Sequence, residues 1–192
     1  MPPAAQTPRS LARTFILGLS SITILLCCSK PEVRFPSPIA IRDHYFQGDV
    51  RISFLRNKGF KVSLTTDGQQ VDQVVFPYEA YHFDTADVNH DGSTDILLGL
   101  IKPTEFDPVH KKRLFILRVD HDQLRPLWLG SKVCQNLISF KAKSNGIIQT
   151  LEQTNNGNYA VGVYQWESFG LTLIHYRINE KPYHDAIQIF ES

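Results

Sequence analysis

The stretch Asp87-Val-Asn-His-Asp-Gly-Ser-Thr-Asp-Ile-Leu-Leu-Gly99 contains the strongest signal in this chain for both fold and chemistry. Side chains that offer oxygen occupy its first, third, fifth and ninth positions: Asp87, Asn89, Asp91 and Asp95. The backbone carbonyl of Ser93 adds an oxygen at the seventh position, and Gly92 permits the sharp turn that brings these oxygens together. Three carboxylates and one amide oxygen suit a hard cation, and their number and flexibility favour Ca²⁺ over Mg²⁺. The alternative is a solvated acidic turn whose side chains cap their own backbone.

The segments on both sides of this loop predict strands rather than helices. Residues 81–84 lead into the loop and residues 96–101 lead out of it, and both have the composition of β-strands. An EF-hand would need a bidentate glutamate at the twelfth position, where this chain has Leu98. A calcium loop between two strands resembles the FG-GAP or VCBS-type repeat of integrin-alpha-like propeller blades. The resemblance rests on Phe83 and residues 87–99, and it implies a structural Ca²⁺ that holds one hairpin of a blade.

The N-terminal segment predicts an export signal with a lipid anchor. Two arginines precede the apolar residues 15–26, a run shorter than the ~20 residues that a membrane-spanning helix needs. The sequence Leu-Leu-Cys-Cys at 25–28 resembles the lipobox of bacterial lipoproteins. Because that motif has a small residue before the lipidated cysteine, Cys28 is the favoured site, preceded by Cys27. An uncleaved N-terminal anchor or an ordinary secretory signal is the alternative.

The chain thus divides into a lipoprotein-type signal peptide at 1–27, a tether at 28–39 that is rich in proline, and a single domain at 40–192. Removing the signal peptide leaves 18 of the 20 basic residues against 19 acidic ones. This balance argues against a nucleic-acid-binding protein, which normally has a basic face. Cys134 then has no partner for a disulfide within the domain, and a lone cysteine beside apolar strands is expected to be a small buried hydrophobe.

From residue 40 onward, short β-type runs alternate with turn signals about every 8–12 residues. Such runs lie at 50–56, 60–65, 70–76, 113–119, 124–129, 137–142, 147–151, 159–166 and 171–178, with a closing strand at 186–190. No window beyond the signal peptide has a clear helical period. The pattern predicts an all-β fold of antiparallel meander sheets, either about three propeller-blade-like units or a partly closed barrel.

The sequence lacks the common catalytic motifs, among them G-x-S-x-G, H-E-x-x-H and the P-loop, and we therefore predict a protein that is not an enzyme. One catalytic alternative is a small carbohydrate-active hydrolase whose acids are Glu105 and Asp107, which would have to face each other across a cleft. Tyr164 and Trp166 share one face of a predicted strand. An exposed face would offer a platform for a glycan or a protein, whereas a covered face would be core.

The predicted protein is a binding or assembly module of the cell envelope with one structural Ca²⁺. Its lipid would anchor it in the outer membrane or at the cell surface, and a secreted protein is the alternative location. The partners that fit this prediction are the membrane, through the N-terminal lipid, and an envelope protein or a glycan. A structural envelope component without any ligand is a further alternative.

Overall fold

The computed structural model describes residues 38–192, except for 57, 58, 106, 131 and 132. The predicted signal peptide, the lipidation site at Cys28 and nearly all of the tether lie outside the described residues. All described residues belong to one compact unit. Within this part of the chain, no helix has the length and apolar character needed to cross a membrane.

The described residues form twelve strands and one short helix. The elements are β1 (Ile39–Arg42), β2 (Gln47–Phe54), β3 (Phe60–Thr66), β4 (Gln69–Phe76), β5 (Glu79–Ala86), β6 (Asp95–Thr104), β7 (Asp107–Asp120), β8 (Gln123–Trp128), β9 (Asn136–Ala142), β10 (Ile148–Gln153), β11 (Tyr159–Glu167), β12 (Gly170–Lys181) and α1 (Tyr183–Glu191). Strands β1–β4, β5–β8 and β9–β12 form the first, second and third sheets, and neighbouring strands are antiparallel. The prediction of an all-β fold with meander sheets is confirmed, and its blade-like form is the one observed.

The second sheet lies between the other two. One apolar core joins it to the first sheet, and Ile96 and Leu98 of β6 contribute to that core. A second core joins it to the third sheet, and Leu97 contributes to that one. Because both faces of the sheet are covered, the apolar run at the start of β6 is continuous rather than alternating.

The C-terminal segment covers the remaining face of the third sheet as a helix, and the closing strand predicted at 186–190 is therefore wrong. Ala186 and Phe190 lie one helical turn apart, and both pack against Leu151 and Val161. The Gln149 side chain of β10 donates a 2.9 Å hydrogen bond to the Phe190 carbonyl. With nine residues, the helix is shorter than the window over which a 3.6-residue period becomes visible in a sequence.

The meander connectivity divides the turns between two ends of the domain. The loop end comprises the turns at 43–46, 67–68, 87–94, 121–122, 143–147 and 168–169. The opposite end comprises the described residues of the turns at 55–59, 77–78, 105–106 and 154–158. The predicted calcium loop therefore shares its end with turns from the first and the third sheet.

Candidate functional site

The predicted calcium loop connects β5 to β6, where Ala86 and Asp95 are paired across the two strands. Two of its residues have left-handed backbone conformations, with φ angles of 60° at His90 and 85° at Gly92. Only glycine adopts this conformation without steric cost, so Gly92 has the role in the turn that the sequence predicts. His90 is exposed, as its position between the predicted ligands suggests.

The side chains of the loop fold back onto its own backbone. The two carboxylate oxygens of Asp87 accept hydrogen bonds from the amides of Asp91 at 3.2 Å and Gly92 at 3.0 Å. Asp91 Oδ1 accepts one from the Ser93 amide at 2.9 Å, and Asp91 Oδ2 accepts one from the Asn89 side chain at 2.9 Å. These are the contacts of a capped acidic turn. They leave lone pairs available, because each ionised carboxylate offers about four acceptor positions.

Asp95 is the one fully buried carboxylate of the loop. Its side-chain Oδ2 accepts a 2.9 Å hydrogen bond from the Val88 amide. Its Oδ1 is buried and has no hydrogen-bond partner among the described residues. Burial raises the pKa of Asp95 to about 7; the amides of Val88 and Asn89 act in the opposite direction, and the charges of Asp91 and Asp87 add to the increase. A buried acceptor without a donor is costly, and a bound cation would supply the missing partner.

The donor set consists of hard oxygen atoms, and the Asp95 oxygen without a partner among the described residues fits a Ca²⁺ site. In the described part of the chain, no group of three or more His, Cys, Asp or Glu side chains is arranged so that it could hold a metal ion. The calcium site therefore stays a prediction.

Asp43, in the turn between β1 and β2, fixes the loop to the first sheet. Its Oδ2 accepts hydrogen bonds from the Thr94 amide at 2.8 Å and from the Ser93 hydroxyl at 3.3 Å. Its Oδ1 accepts hydrogen bonds from the amides of Tyr45 and Phe46, which closes a local turn. The sequence signals that local turn but not the contact with residues some fifty positions away, and sequence reasoning missed Asp43.

Gly146 brings the third sheet against the same loop. Its φ angle is 62°, and a Cβ at this position would lie 2.5 Å from the Asp87 carbonyl oxygen and 3.0 Å from the Val88 carbonyl oxygen. Any larger residue would therefore collide with the backbone of the loop. With Asp43 on one side and Gly146 on the other, the loop of the second sheet contacts turns from both other sheets.

The strand face that carries Tyr164 and Trp166 is covered by the second sheet. Tyr164 is 2% exposed, and its hydroxyl donates a 2.7 Å hydrogen bond to Glu152 and accepts one from the Cys134 amide. The Trp166 ring packs edge-on against Trp128, with 6.2 Å between the ring centroids. The two rings belong to the core, the second of the two roles that the sequence left open.

Two features near Tyr164 differ from expectation or lack a sequence signal. Cys134 is exposed, so the expectation that it is a buried hydrophobe is wrong, because the neighbouring Val133 takes the buried position. Glu152 is fully buried, and its carboxylate also accepts hydrogen bonds from the Thr150 hydroxyl and the Gln135 amide. No local sequence pattern predicts that Glu152 is buried, because its burial depends on the hydrogen-bond donors that the fold places around its carboxylate.

The alternative acid pair lies at the tip of the hairpin between β6 and β7. Asp107 forms ion pairs with Lys111 and Arg113. The hydrogen bond from Lys111 is the largest cause that lowers the pKa of Asp107, to about 2. An acid held ionised by two cations is unsuited to protonating a leaving group near neutral pH. Glu105 beside it is exposed.

Comparison of the chain with models of protein families, with curated proteins and with solved structures found no match.

Proposed function

We propose that this protein is a lipid-anchored module of the cell envelope whose all-β domain binds or assembles with other envelope components and contains one structural Ca²⁺. Asp87, Asn89, Asp91, Ser93 and Asp95 are the proposed calcium ligands. The lipid anchor rests on the cysteine pair that follows the N-terminal apolar segment.

One observation carries the calcium part of the proposal, namely the buried Asp95 Oδ1 that has no hydrogen-bond partner among the described residues. Without a cation, the fold buries this oxygen beside two further carboxylates, and their mutual repulsion adds to the cost of burial. A divalent cation would remove both costs. Two of the proposed ligands also contact the neighbouring sheets: the Ser93 hydroxyl donates a hydrogen bond to Asp43 of the first sheet, and the Asp87 carbonyl lies against Gly146 of the third.

The energetic role of calcium follows from simple mass action. A ligand that binds only the folded chain stabilises it by RT ln(1 + [L]/Kd), which is about 1 kcal/mol when free calcium is about five times Kd. Extracellular calcium modules typically bind with Kd values of about 10⁻⁴–10⁻³ M. Millimolar calcium is about one to ten times these Kd values, so about half or more of the chains hold the ion, which acts as a structural element rather than as a switch.

Calorimetric titration of the full chain in detergent tests this proposal. After removal of metal with a chelator, CaCl₂ should bind at about one ion per chain and raise the melting temperature, and MgCl₂ should bind more weakly. Asp95→Asn should abolish the calcium response. In chelator, this variant should melt no lower than the wild type, because it removes a buried charge while keeping an acceptor for the Val88 amide.

Asp67→Asn is the matched control. Asp67 is an exposed aspartate in the turn between β3 and β4, at the loop end but outside the calcium loop. This variant should keep the full calcium response. The calcium assignment fails if the wild-type chain takes up no calcium, or if Asp95→Asn binds calcium as the wild type does.

A further inference from the structure

An open cleft of about 350 Å³ lies beside the hairpin turn between β11 and β12. Its lining includes the partly exposed Trp128 at the end of β8, the Phe169 ring, and the polar side chains of Glu167, Ser168 and Thr172. The volume falls within the roughly 300–1,000 Å³ of small-molecule sites. None of these residues belongs to the calcium loop, so the cleft is a separate feature of the domain.

Trp128 forms a fixed aromatic wall of the cleft. Its ring contacts that of Trp166 edge-on, with 6.2 Å between the ring centroids. On the hairpin side, a Cβ added at Gly170 would lie 2.5 Å from Cζ3 of the Trp128 ring. Any larger residue at position 170 would therefore have to displace the ring. A rigid aromatic side chain offers a large contact area and loses little conformational entropy when a ligand binds.

The turn that borders the cleft is energetically unfavourable in two respects. Ser168 has a left-handed backbone, with a φ angle of 55°, which glycine adopts without steric cost. Phe169, the next residue, is 90% exposed. By contrast, the turns with Asp67-Gly68 and Asn145-Gly146 at the same end have the residues that hairpin turns favour. Backbone strain beside a cleft is typical of residues that contact a ligand.

The polar side chains around the cleft are available to a ligand. Glu167, Ser168 and Thr172 are exposed, and no ion pair or hydrogen bond joins their side chains to other residues in the described part of the chain. The carboxylate accepts hydrogen bonds, and the two hydroxyls both donate and accept them. Glu167 is the one charged residue of the described lining. The cleft therefore disfavours phosphates and other anions.

The composition of the lining selects a neutral, amphipathic ligand. A purely apolar molecule would remove Glu167, Ser168 and Thr172 from water without giving them hydrogen-bond partners. The described lining comprises seven residues, against the roughly 20–30 residues that each side of a standard protein interface contains. A sugar ring matches both kinds of lining, because its C–H groups pack on aromatic faces and its hydroxyls form hydrogen bonds.

We propose that this cleft binds a neutral mono- or disaccharide. The apolar face of a sugar ring packs against Trp128 and Phe169, and its hydroxyls donate hydrogen bonds to the Glu167 carboxylate. The hydroxyls of Ser168 and Thr172 pair with the remaining sugar hydroxyls. This inference rests on the proposed function and deepens it, because it assigns a glycan as the envelope component that the module binds.

Saturation-transfer NMR on the full chain tests the site, in calcium and in a detergent without a sugar headgroup. The probes are maltose, lactose and N,N′-diacetylchitobiose, and the fluorescence of Trp128 and Trp166 is a second readout. At least one probe should receive saturation on its ring C–H protons and change the fluorescence. Phe169→Ala and Glu167→Ala should each weaken its binding at least about tenfold.

Tyr45→Ala is the matched control. Tyr45 is a 51% exposed aromatic residue in another turn of the loop end, outside the cleft, so this variant should bind the probe as the wild type does. Ser168→Gly should raise the melting temperature, because glycine relieves the backbone strain, and should nevertheless weaken binding, because the hydroxyl is lost. A purely structural turn would show the first effect without the second.

The saccharide site is refuted if no probe binds at up to about 20 mM, since even a complex with a Kd of about 1 mM would then be nearly saturated. It is also refuted if Phe169→Ala binds as the wild type does, or if Tyr45→Ala weakens binding equally. When calcium still binds and the chain stays with membranes, only this inference fails. Loss of calcium binding and of membrane attachment in the wild type would instead refute the proposed function.

Discussion

The Asp43 carboxylate accepts a 2.8 Å hydrogen bond from the Thr94 amide, and this contact joins the first sheet to the predicted calcium loop of the second. The same carboxylate oxygen accepts a hydrogen bond from the buried Ser93 hydroxyl. Two of the loop residues are thus held from outside the loop. The geometry of the loop consequently depends on how the sheets pack, and changes in that packing should alter calcium binding.

Replacing Asp43 with alanine tests this dependence. Asp43→Ala removes the acceptor for the amides of Thr94, Phe46 and Tyr45, and we expect a loss of about 2–3 kcal/mol in the free energy of unfolding. Calcium affinity should also decrease, because the loop loses its support. Urea unfolding and calorimetric titration of the full chain measure the two effects.

Asp122→Ala is the control for Asp43→Ala. Asp122 is an exposed aspartate in the turn between β7 and β8, at the same end of the domain. Its replacement should change the free energy of unfolding by no more than about 0.5 kcal/mol. Equal effects of the two substitutions would show that Asp43 does not fix the loop.

Gly146→Ala should displace the calcium loop from the third sheet. The new methyl group would collide with the Asp87 carbonyl oxygen, and the left-handed backbone would add strain. We expect a loss of about 2–4 kcal/mol in the free energy of unfolding and a weaker calcium response. Gly157→Ala is the control, since Gly157 also has a positive φ but a methyl group there would have no atom within 4 Å. Gly157→Ala should lower the free energy of unfolding only by the backbone strain, about 1–2 kcal/mol, and should leave calcium binding unchanged.

Asp91→Ala should remove the calcium dependence of stability. Asp91 accepts hydrogen bonds from the Ser93 amide and the Asn89 side chain, and it is also a proposed ligand. The melting temperature of the variant should be lower than that of the wild type in calcium, and chelator should not change it further. A variant that still melts at a higher temperature in calcium would contradict the assignment of this residue.

The ion pairs of Asp107 should make part of the free energy of unfolding depend on pH. The hydrogen bond from Lys111 is the main cause that lowers the pKa of Asp107 to about 2, from 3.8. Because the folded-state pKa is depressed, the stabilisation is complete above the unfolded pKa and is lost as pH decreases through about 2. Asp107→Asn should therefore lower the melting temperature at pH 7, and the difference from the wild type should disappear between about pH 4 and pH 2. Glu105→Gln should leave the melting temperature at pH 7 unchanged.

Cys28→Ser tests the lipid anchor directly. The variant should leave the membrane fraction, because serine lacks the thiol to which the lipid would be attached. Sedimentation of membranes followed by detection of the full chain measures the distribution. Cys134→Ser is the control for a cysteine outside the N-terminal segment and should stay with the membranes. Retention of Cys28→Ser in the membrane fraction would instead identify the apolar segment as the anchor.

The strand pattern was predictable from the sequence, because alternation of side chains and turn residues are local properties. Residues 60–65 and 70–76, for example, correspond to β3 and β4, and the turn between them contains Asp67 and Gly68. The C-terminal helix was not predictable in the same way. The sequence Ala-Ile-Gln-Ile-Phe at 186–190 is compatible with a short strand and with one face of a short helix. Its contact with the third sheet decides in favour of the helix.

The acidic loop likewise combines local and distant determinants. The sequence by itself specified the loop's oxygen-bearing side chains and the glycine that turns its backbone, since a single short run of consecutive residues contains that information. Only the tertiary structure decided that Asp95 is buried with an oxygen that has no hydrogen-bond partner in the described part of the chain, and that Asp43 and Gly146 contact the loop from two other sheets. Burial and long-range hydrogen bonds depend on which segments pack together, and no spacing along the chain specifies that.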